Sequence, residues 1–331
     1  MTVLAPAPAD PVETPPARRP GSVRRTSTML MFWPGGFGSE LHLKGRARDL
    51  LTPERGHPMI VAASDLYAVT GRARDVQAIE SRPVHEPLQR LVGCRAGGNL
   101  RSAIAQELPE QVEGGTPLLL LLDDIAGATL ISGFTYFRWA DAVPGMRERL
   151  GQGPKSDMRG ICSGFRDGAS ALFPDGSLRG VSANTPVAPL LHDPADPDGW
   201  HKRDEPPEIQ MCRARRIDAW ADGDRIEFDT MFRDTCSVPE GPEVVLHEYQ
   251  ILGRADRDTG IIEGLEAVPR VLPYPECPLA AANTPRMVGT ALRAMRTEVL
   301  AQLRSIDCCT HLNDGLRSLA EVPVLAESLR G

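Results

Sequence analysis

Several common functional signatures are missing from this chain of 331 residues. Its seven cysteines include no C-x-x-C pair, which argues against a disulfide framework and against a standard zinc module. The sequence contains neither a G-x-G-x-x-G motif nor a G-x-x-x-x-G-K-[ST] motif, so nothing in it indicates nicotinamide, flavin or nucleotide binding. We therefore predict a protein that works without a cofactor.

Long runs of one kind of residue are also missing. Basic residues cluster only as the pairs Arg18-Arg19 and Arg24-Arg25, and the net charge is −7, so we expect no nucleic-acid partner. The longest apolar run, Leu118–Leu122, is far shorter than the roughly 20 residues of a membrane span, so we expect no membrane partner. Scattered cysteines and an N-terminus without an apolar core predict a cytoplasmic protein.

Composition divides the chain into four parts. Residues 1–28 begin with a segment rich in Ala and Pro and are predicted to be a disordered tail. Residues 29–150 form an N-terminal half, and residues 213–331 form a C-terminal half that carries the candidate site. Between them, residues 151–212 are rich in Gly, Pro and Asp, which predicts a connector or a loop that covers the site.

Alternating apolar and polar residues predict antiparallel strands in both halves. The clearest predicted strands are Leu41–Asp49, Met59–Thr70, Arg216–Trp220, Arg225–Phe232 and Val244–Leu252, with a further strand from Thr259 to Val268. Helical patterns cover residues 88–108 and Met287–Ile306. The predicted fold class is α+β, with a strand meander followed by helices in each half.

Four short matches between the halves occur in the same order, which suggests an internal repeat. They pair Arg48-Asp49 with Arg233-Asp234, Gly71-Arg72-Ala73 with Gly253-Arg254-Ala255, Val92-Gly93 with Val288-Gly289, and Leu122-Asp123-Asp124 with Leu312-Asn313-Asp314. A duplication predicts two related halves packed with pseudo-two-fold symmetry around one core. The first half has Leu121 where the second has His311, so we place the chemistry in the second half.

The densest polar stretch of the chain is Cys308–Asp314. If it is helical, His311 and Asp314 lie on one face, and Asp314 is predicted to orient the imidazole. Asn313 is predicted to hold a substrate oxygen by donating a hydrogen bond. The alternative role of Asp314 is to cap the next helix.

A second group of polar residues lies on a predicted strand, at His247-Glu248-Tyr249. Alternation places His247 and Tyr249 on one face of the sheet and Glu248 on the other. His247 and His311 are the predicted acid/base pair, with Tyr249 assisting. Glu248 and Arg233 are predicted to bind substrate, because the guanidinium group of Arg233 can clamp an oxygen through its fork of donors. A salt-bridged strand end is the alternative role of Arg233.

Four motifs together resemble a known family. In order, they are Phe232-Arg233-Asp234, His247-Glu248-Tyr249, Glu276-Cys277-Pro278 and Cys309–Asp314. They resemble an uncharacterised bacterial family catalogued as domain of unknown function 2889, over about residues 213–320. The resemblance implies neither a reaction nor a cofactor. The family's association with bacteria that degrade small and aromatic molecules implies a catabolic substrate.

These observations predict an enzyme that transfers protons without a cofactor. It would be a lyase, hydratase or isomerase acting on a small apolar substrate of aromatic or alicyclic type. One alternative is a metal-dependent hydrolase or lyase that uses His247 and His311 with Glu248 or Asp314. Another alternative is a protein that binds a small ligand or serves as a scaffold without catalysis. A homodimer is compatible with each of these hypotheses. A close pair of imidazoles facing a cavity would support catalysis, whereas separation across the fold would remove it. A deep cavity that contains neither His247 nor His311 would favour the non-catalytic role.

Overall fold

A single antiparallel sheet of eight strands dominates the computed structural model, which describes residues 10–151, 156–180 and 185–329. The strands are β1 (Ser22–Phe32), β2 (Leu41–Thr52), β3 (Met59–Thr70), β4 (Val76–Arg82), β5 (Gln210–Asp222), β6 (Arg225–Cys236), β7 (Val244–Asp256) and β8 (Ile262–Val271). Their order across the sheet is β4-β3-β2-β1-β5-β6-β7-β8. The predicted α+β class, with its strand meanders, is therefore confirmed.

The two four-stranded meanders meet at the pair β1 and β5. These strands run antiparallel along their whole shared length, from Ser22 opposite Trp220 to Phe32 opposite Gln210. Backbone hydrogen bonds thus continue across the junction, and the chain folds around one sheet rather than two.

Eight helices accompany the sheet within the described residues. They are α1 (Gly98–Glu107), α2 (Pro109–Glu113), α3 (Pro117–Ile131), α4 (Phe134–Arg138), α5 (Met146–Gly151), α6 (Met295–Gln302), α7 (Thr310–Arg317) and α8 (Val322–Glu327). Helix α3 begins where Thr116 Oγ1 accepts a hydrogen bond of 3.2 Å from the Leu119 amide, and Pro117 occupies its first turn. Almost every residue of α3 is buried, because this helix packs on β1, β2 and β3.

Only one helical stretch, Pro117–Arg138, is long and apolar enough to cross a membrane among the residues described. Of its most apolar window, 83% is buried inside the fold. A core helix of a soluble protein has the same length and composition, and burial identifies this one as a core helix. The structure is compatible with a soluble protein.

The two faces of the sheet are covered differently. Helices α3 and α7 lie on one face, which we call the helix face. The opposite face is covered by the segment that follows residue 185 and by the N-terminal segment. There His201 lies 2.9 Å from Thr26 Oγ1 and 2.7 Å from Thr28 Oγ1, and Trp200 packs in a small apolar cluster with Met231.

Two sequence predictions about local structure were wrong. The predicted tail reaches residue 28, but β1 begins at Ser22; residues 1–9 lie outside the described part of the chain. In place of the predicted helix Met287–Ile306, the structure has the shorter helix α6. Gly289 adopts a φ of +87°, which is not helical, and it follows a 3₁₀ segment that ends at Met287. The apolar stripe there reflected burial of short turns rather than one helix.

One match of the proposed repeat has the same local backbone in both halves. Gly93 and Gly289 have φ values of +88° and +87°, and each follows a 3₁₀ segment. The Gly93 amide donates to Val76 O at 2.7 Å, and the Gly289 amide donates to Ile262 O at 2.8 Å. Both glycines thus join a turn to the first residue of a strand. The pseudo-two-fold symmetry of the complete halves stays a prediction.

Candidate functional site

The two predicted histidines meet on the helix face. His247 lies on β7, and His311 lies in the first turn of α7, which crosses β6 and β7. Their rings stack with centroids 3.7 Å apart and an angle of 16° between the planes. Residues 64 positions apart in sequence are therefore in direct contact.

A third residue of the cluster, Asp234, is one that the sequence argument missed. Its Oδ2 atom lies 3.5 Å from His247 Nδ1 and 3.9 Å from His311 Nε2. Strand register explains the position, because Asp234 on β6 is paired directly with His247 on β7. In the sequence, Arg233-Asp234 followed by a hairpin was the only indication of this residue. The same pattern is equally typical of an ordinary charged strand end.

Arg213 holds the Asp234 carboxylate from the neighbouring strand β5. Its Nε and Nη2 atoms donate to the two carboxylate oxygens at 2.9 Å and 3.2 Å, and both side chains are fully buried. Burial alone would raise the pKa of Asp234, but the adjacent guanidinium group and the hydrogen bonds keep this pKa below its usual range. Asp234 therefore carries a negative charge beside the two imidazoles at neutral pH.

Asp234 and Arg213 belong to a larger network of ion pairs between the helices and the sheet. Each charged group of the network pairs with at least one group of opposite charge, and positive and negative groups are equal in number. The members are Arg25, Arg101, Arg213, Arg215, Arg296 and Arg317 with Asp49, Asp123, Asp124, Asp234, Asp314 and Glu321. The network crosses from the first half of the chain to the second. Only its end at Asp234 touches the histidines.

The predicted pairing of Asp314 with His311 was wrong. The Asp314 carboxylate accepts from Arg101 at 2.7 Å and from Arg213 at 3.2 Å, and in the described chain no hydrogen bond or ion pair joins it to His311. Asp314 also lies inside α7, so it does not cap a following helix. Spacing along a helix identified a shared face, but the arginines on neighbouring elements decide where the carboxylate binds.

Tyr249 lies two residues from His247 on the same face, as alternation predicted. Its hydroxyl group is completely buried beside Cys309, and burial raises the pKa of this phenol well above its usual value. The Cys309 thiol in turn lies 3.8 Å from His311 Nδ1. Burial also raises the pKa of Cys309, so at neutral pH both groups are protonated.

The three predicted substrate-binding residues, Arg233, Glu248 and Asn313, make contacts within the fold. Arg233 Nε donates to Glu248 Oε2 at 2.6 Å, and its Nη2 donates to Val12 O at 2.8 Å. Both side chains thus anchor the N-terminal segment on the face opposite the histidines. Asn313 Nδ2 donates to Leu303 O at 3.1 Å, which ties α7 to the end of α6. We conclude that these contacts organise the fold.

The environment of His311 favours its neutral form. Burial is the largest cause of a pKa well below the usual value, and the neighbouring His247 is the next. Phe232 lies against the ring at a centroid distance of 6.1 Å. The side chain of His311 keeps 15% of its surface exposed, whereas that of His247 keeps 6%. Solvent therefore reaches the cluster on the side of His311.

Two large cavities lie on the opposite face of the sheet. One has a volume of about 1020 Å³ and is lined by Thr28, Arg46 and Tyr67 among others. The second has a volume of about 730 Å³ and lies beneath Trp200 and His201. Neither His247 nor His311 lines either cavity. The sheet thus separates these cavities from the histidine cluster.

Comparison with known proteins identifies a family for the second half of the chain. Residues 211–325 match the model of a family described as a protein of unknown function, DUF2889. This segment is similar to the DUF2889 family. No curated protein and no solved structure matches the chain. The matched segment contains Asp234, His247 and His311, whereas Asp124 and Arg101 come from outside it.

Proposed function

We propose that the protein is an enzyme that transfers protons at Asp234, His247 and His311. The supporting observation is the stack of two imidazoles, 3.7 Å apart, beside a buried carboxylate. Asp234 replaces Asp314 as the carboxylate of the cluster. The reaction class remains that of a lyase, hydratase or isomerase.

The electrostatics of the cluster support proton transfer. Two stacked imidazoles repel each other when both are charged, so protonation of one disfavours protonation of the other. A neutral His311 is available as a proton acceptor at neutral pH, and the negative charge of Asp234 stabilises the proton once it has been accepted. The cluster thereby provides a proton acceptor beside a buried carboxylate.

The surroundings of the cluster favour a small, largely apolar substrate. Phe232 flanks His311, and Leu312 and Leu316 belong to the core beneath α7. A flat aromatic or alicyclic ring suits the limited exposure beside His311 better than a large polar molecule. The seven free cysteines, six of them buried, support a cytoplasmic location, because thiols persist in a reducing compartment.

A second candidate function is the binding of a small ligand without catalysis. The cavity of about 1020 Å³ on the opposite face favours it, because this volume suits a small molecule and contains neither histidine. We place it second because the cavity is lined by paired charges, such as Arg46 with Asp65 and Lys44 with Asp204.

Proton transfer can be tested without knowing the substrate. The protein is incubated in D₂O with a bacterial small-molecule extract, and mass spectrometry follows compounds that gain deuterium or change in amount. We expect such compounds with the wild type and not with His247→Ala or His311→Ala. His57→Ala changes an exposed histidine and is the matched control. Identical compound profiles for the wild type and both site variants would contradict the proposal.

A further inference from the structure

We propose that Asp234, His247 and His311 bind one divalent transition-metal ion through two imidazole nitrogens and one carboxylate oxygen. The inference rests on the proposed function for the claim that chemistry takes place here. It assigns the base to water bound at the ion instead of to His311, because a coordinated imidazole nitrogen accepts no proton. Two histidines and one carboxylate are a ligand set used for zinc and for non-haem iron(II). Either metal would be held by the three ligands on one side and would keep open coordination positions on the other.

The distances between atoms of the cluster are closer to those between ligands of one metal ion than to those of hydrogen bonds. The separations of 3.5 Å and 3.9 Å from Asp234 Oδ2 to the two ring nitrogens exceed the usual hydrogen-bond range of about 2.7–3.2 Å. Ligands about 2.1 Å from a tetrahedral zinc ion lie about 3.4 Å from each other. The three ligand atoms all lie within 4.8 Å of one another. One imidazole has to rotate out of the stack for both ring nitrogens to point at a single ion.

The nitrogens that face Asp234 have no other partner. His247 Nδ1 and His311 Nε2 are both buried, and neither makes a hydrogen bond in the described structure. Buried polar atoms are normally paired, and an unpaired one destabilises the fold. A metal ion would satisfy both nitrogens and the carboxylate oxygen together.

Neighbouring groups already hold the ligands in position. Arg213 fixes the Asp234 carboxylate through both of its oxygens. On the far side of the other ring, His311 Nδ1 lies 3.8 Å from the Cys309 thiol and 3.5 Å from Thr310 Oγ1. Metal-binding carboxylates and imidazoles commonly have such outer partners, which set their orientation.

Charge around the cluster determines what a bound ion would do. The ion-pair network contains as many arginines as carboxylates, so it offers no surplus negative charge to neutralise a divalent cation. Most of the cation's charge would therefore act on whatever occupies its open position. A water molecule there would become a stronger acid, which supplies a base for proton transfer.

Metal binding can be measured directly on the full chain. The protein is stripped with a chelator, and Co²⁺ is titrated under anaerobic conditions while visible absorption is recorded. We expect one equivalent to bind, with a spectrum of nitrogen and oxygen ligands. His247→Ala and His311→Ala should each weaken binding by more than about 100-fold, because each removes a ligand. Asp234→Asn tests the carboxylate, and His57→Ala should bind as the wild type does.

The outcomes separate the two proposals. Failure to take up a stoichiometric amount of Co²⁺, uptake that survives both histidine substitutions, or a sulfur-to-cobalt absorption band would overturn the metal site. Competition of Zn²⁺ and Fe²⁺ against Co²⁺ decides between the two metals. Deuterium incorporation by the metal-free protein would overturn the assignment of the base to the ion and would leave the proposed function standing. A stoichiometric metal in a protein without deuterium incorporation would overturn the proposed function alone. Circular dichroism verifies that each variant is folded.

Discussion

Arg213 is the residue on which the helix face depends most. Its guanidinium group contacts Asp124 on α3, Asp234 on β6 and Asp314 on α7, and it is fully buried. A buried charge is costly unless it is paired, and removal of one partner strands the others. One side chain thus joins three elements and also positions the carboxylate of the histidine cluster.

Replacement of Arg213 should therefore cost far more than replacement of an exposed arginine. We expect Arg213→Ala to lower the free energy of unfolding by about 3–5 kcal/mol, because three carboxylates lose a buried partner. Arg225→Ala is the matched control, since Arg225 pairs with Glu263 at the surface, and we expect a much smaller loss. Urea denaturation measures both. Similar losses for the two variants would show that Arg213 is not central.

His201 should make the protein sensitive to mild acid. Burial, assisted by nearby arginines, lowers its pKa to about 3 in the folded protein. The unfolded chain titrates near pH 6.5, so below that value it binds a proton that the folded protein does not. Stability is therefore lost as pH falls from about 6.5 towards 3, by up to about 1.4 kcal/mol per pH unit.

The test compares wild type with His201→Asn between pH 6 and pH 5, a window above the titration of ordinary carboxylates. Urea denaturation at each pH should show a stability slope about 1.4 kcal/mol per pH unit smaller in the variant. Equal slopes would mean that His201 protonates in the folded protein.

Residue types predicted part of the cluster, but not its complete geometry. His247 and His311 were identified because an imidazole in an apolar setting needs a reason to be there. Asp234 was missed, because its position depends on the register between β6 and β7. Asp314 was assigned from helical spacing, yet arginines from α1 and β5 compete for it. Long-range partners of a carboxylate cannot be read from its sequence neighbours.

At the scale of elements, α3 approaches the sheet closely because it contains Gly127. A Cβ at this position would overlap the guanidinium group of Arg213 and lie 2.6 Å from Asp314 Oδ2. Both neighbours are buried and held by ion pairs, so neither can move freely. The missing side chain of Gly127 thus makes room for the ion-pair network.

Gly127→Ala should destabilise the protein although alanine is the better helix former. Helix propensity favours the change by about 1 kcal/mol, but overpacking of the network should cost more, and we expect a net loss of about 1–3 kcal/mol. Gly133→Ala, just after α3, is the matched control, because a Cβ there meets nothing within 4 Å. Thermal unfolding measures both. A stabilised Gly127→Ala variant would disprove the close approach.

Strands were easier to predict than helices. Alternation gave both ends of β3 correctly, because one face of that strand is buried and the other is not. The apolar run Leu118–Leu122 stops at Asp123 and Asp124 in the sequence, yet α3 continues to Ile131. Both carboxylates are buried, because arginines from other elements pair with them. Periodicity detects burial by apolar contacts and misses burial by ion pairs.

At the scale of the whole molecule, the segment that matches DUF2889 shares its sheet and its ion pairs with the first half of the chain. Its first strand, β5, pairs along its length with β1, which lies outside the matched residues. Its buried Arg215 pairs with Asp124, which also lies outside them. Separated from the first half, the segment would expose a strand edge and unpaired buried charges.

We therefore expect a fragment of residues 208–329 to remain unfolded or to aggregate when expressed alone. Co-expression with residues 10–151 should give a soluble complex, because both the strand pairing and the ion pairs are restored. Circular dichroism and size-exclusion chromatography distinguish the two results. Asp124→Leu in the partner fragment should weaken the complex, whereas Asp141→Leu, at an exposed ion pair, should not. A fragment that folds alone would show that the first half is dispensable.

The pairing of three carboxylates with the single buried Arg213 has a consequence for the evolution of this gene. A single substitution at Asp124, Asp234, Asp314 or Arg213 leaves a buried charge without its partner, so most single steps are harmful. A second substitution that removes the stranded charge would act as a suppressor of the first. We expect these four positions to change together among related sequences, while the exposed pairs drift independently.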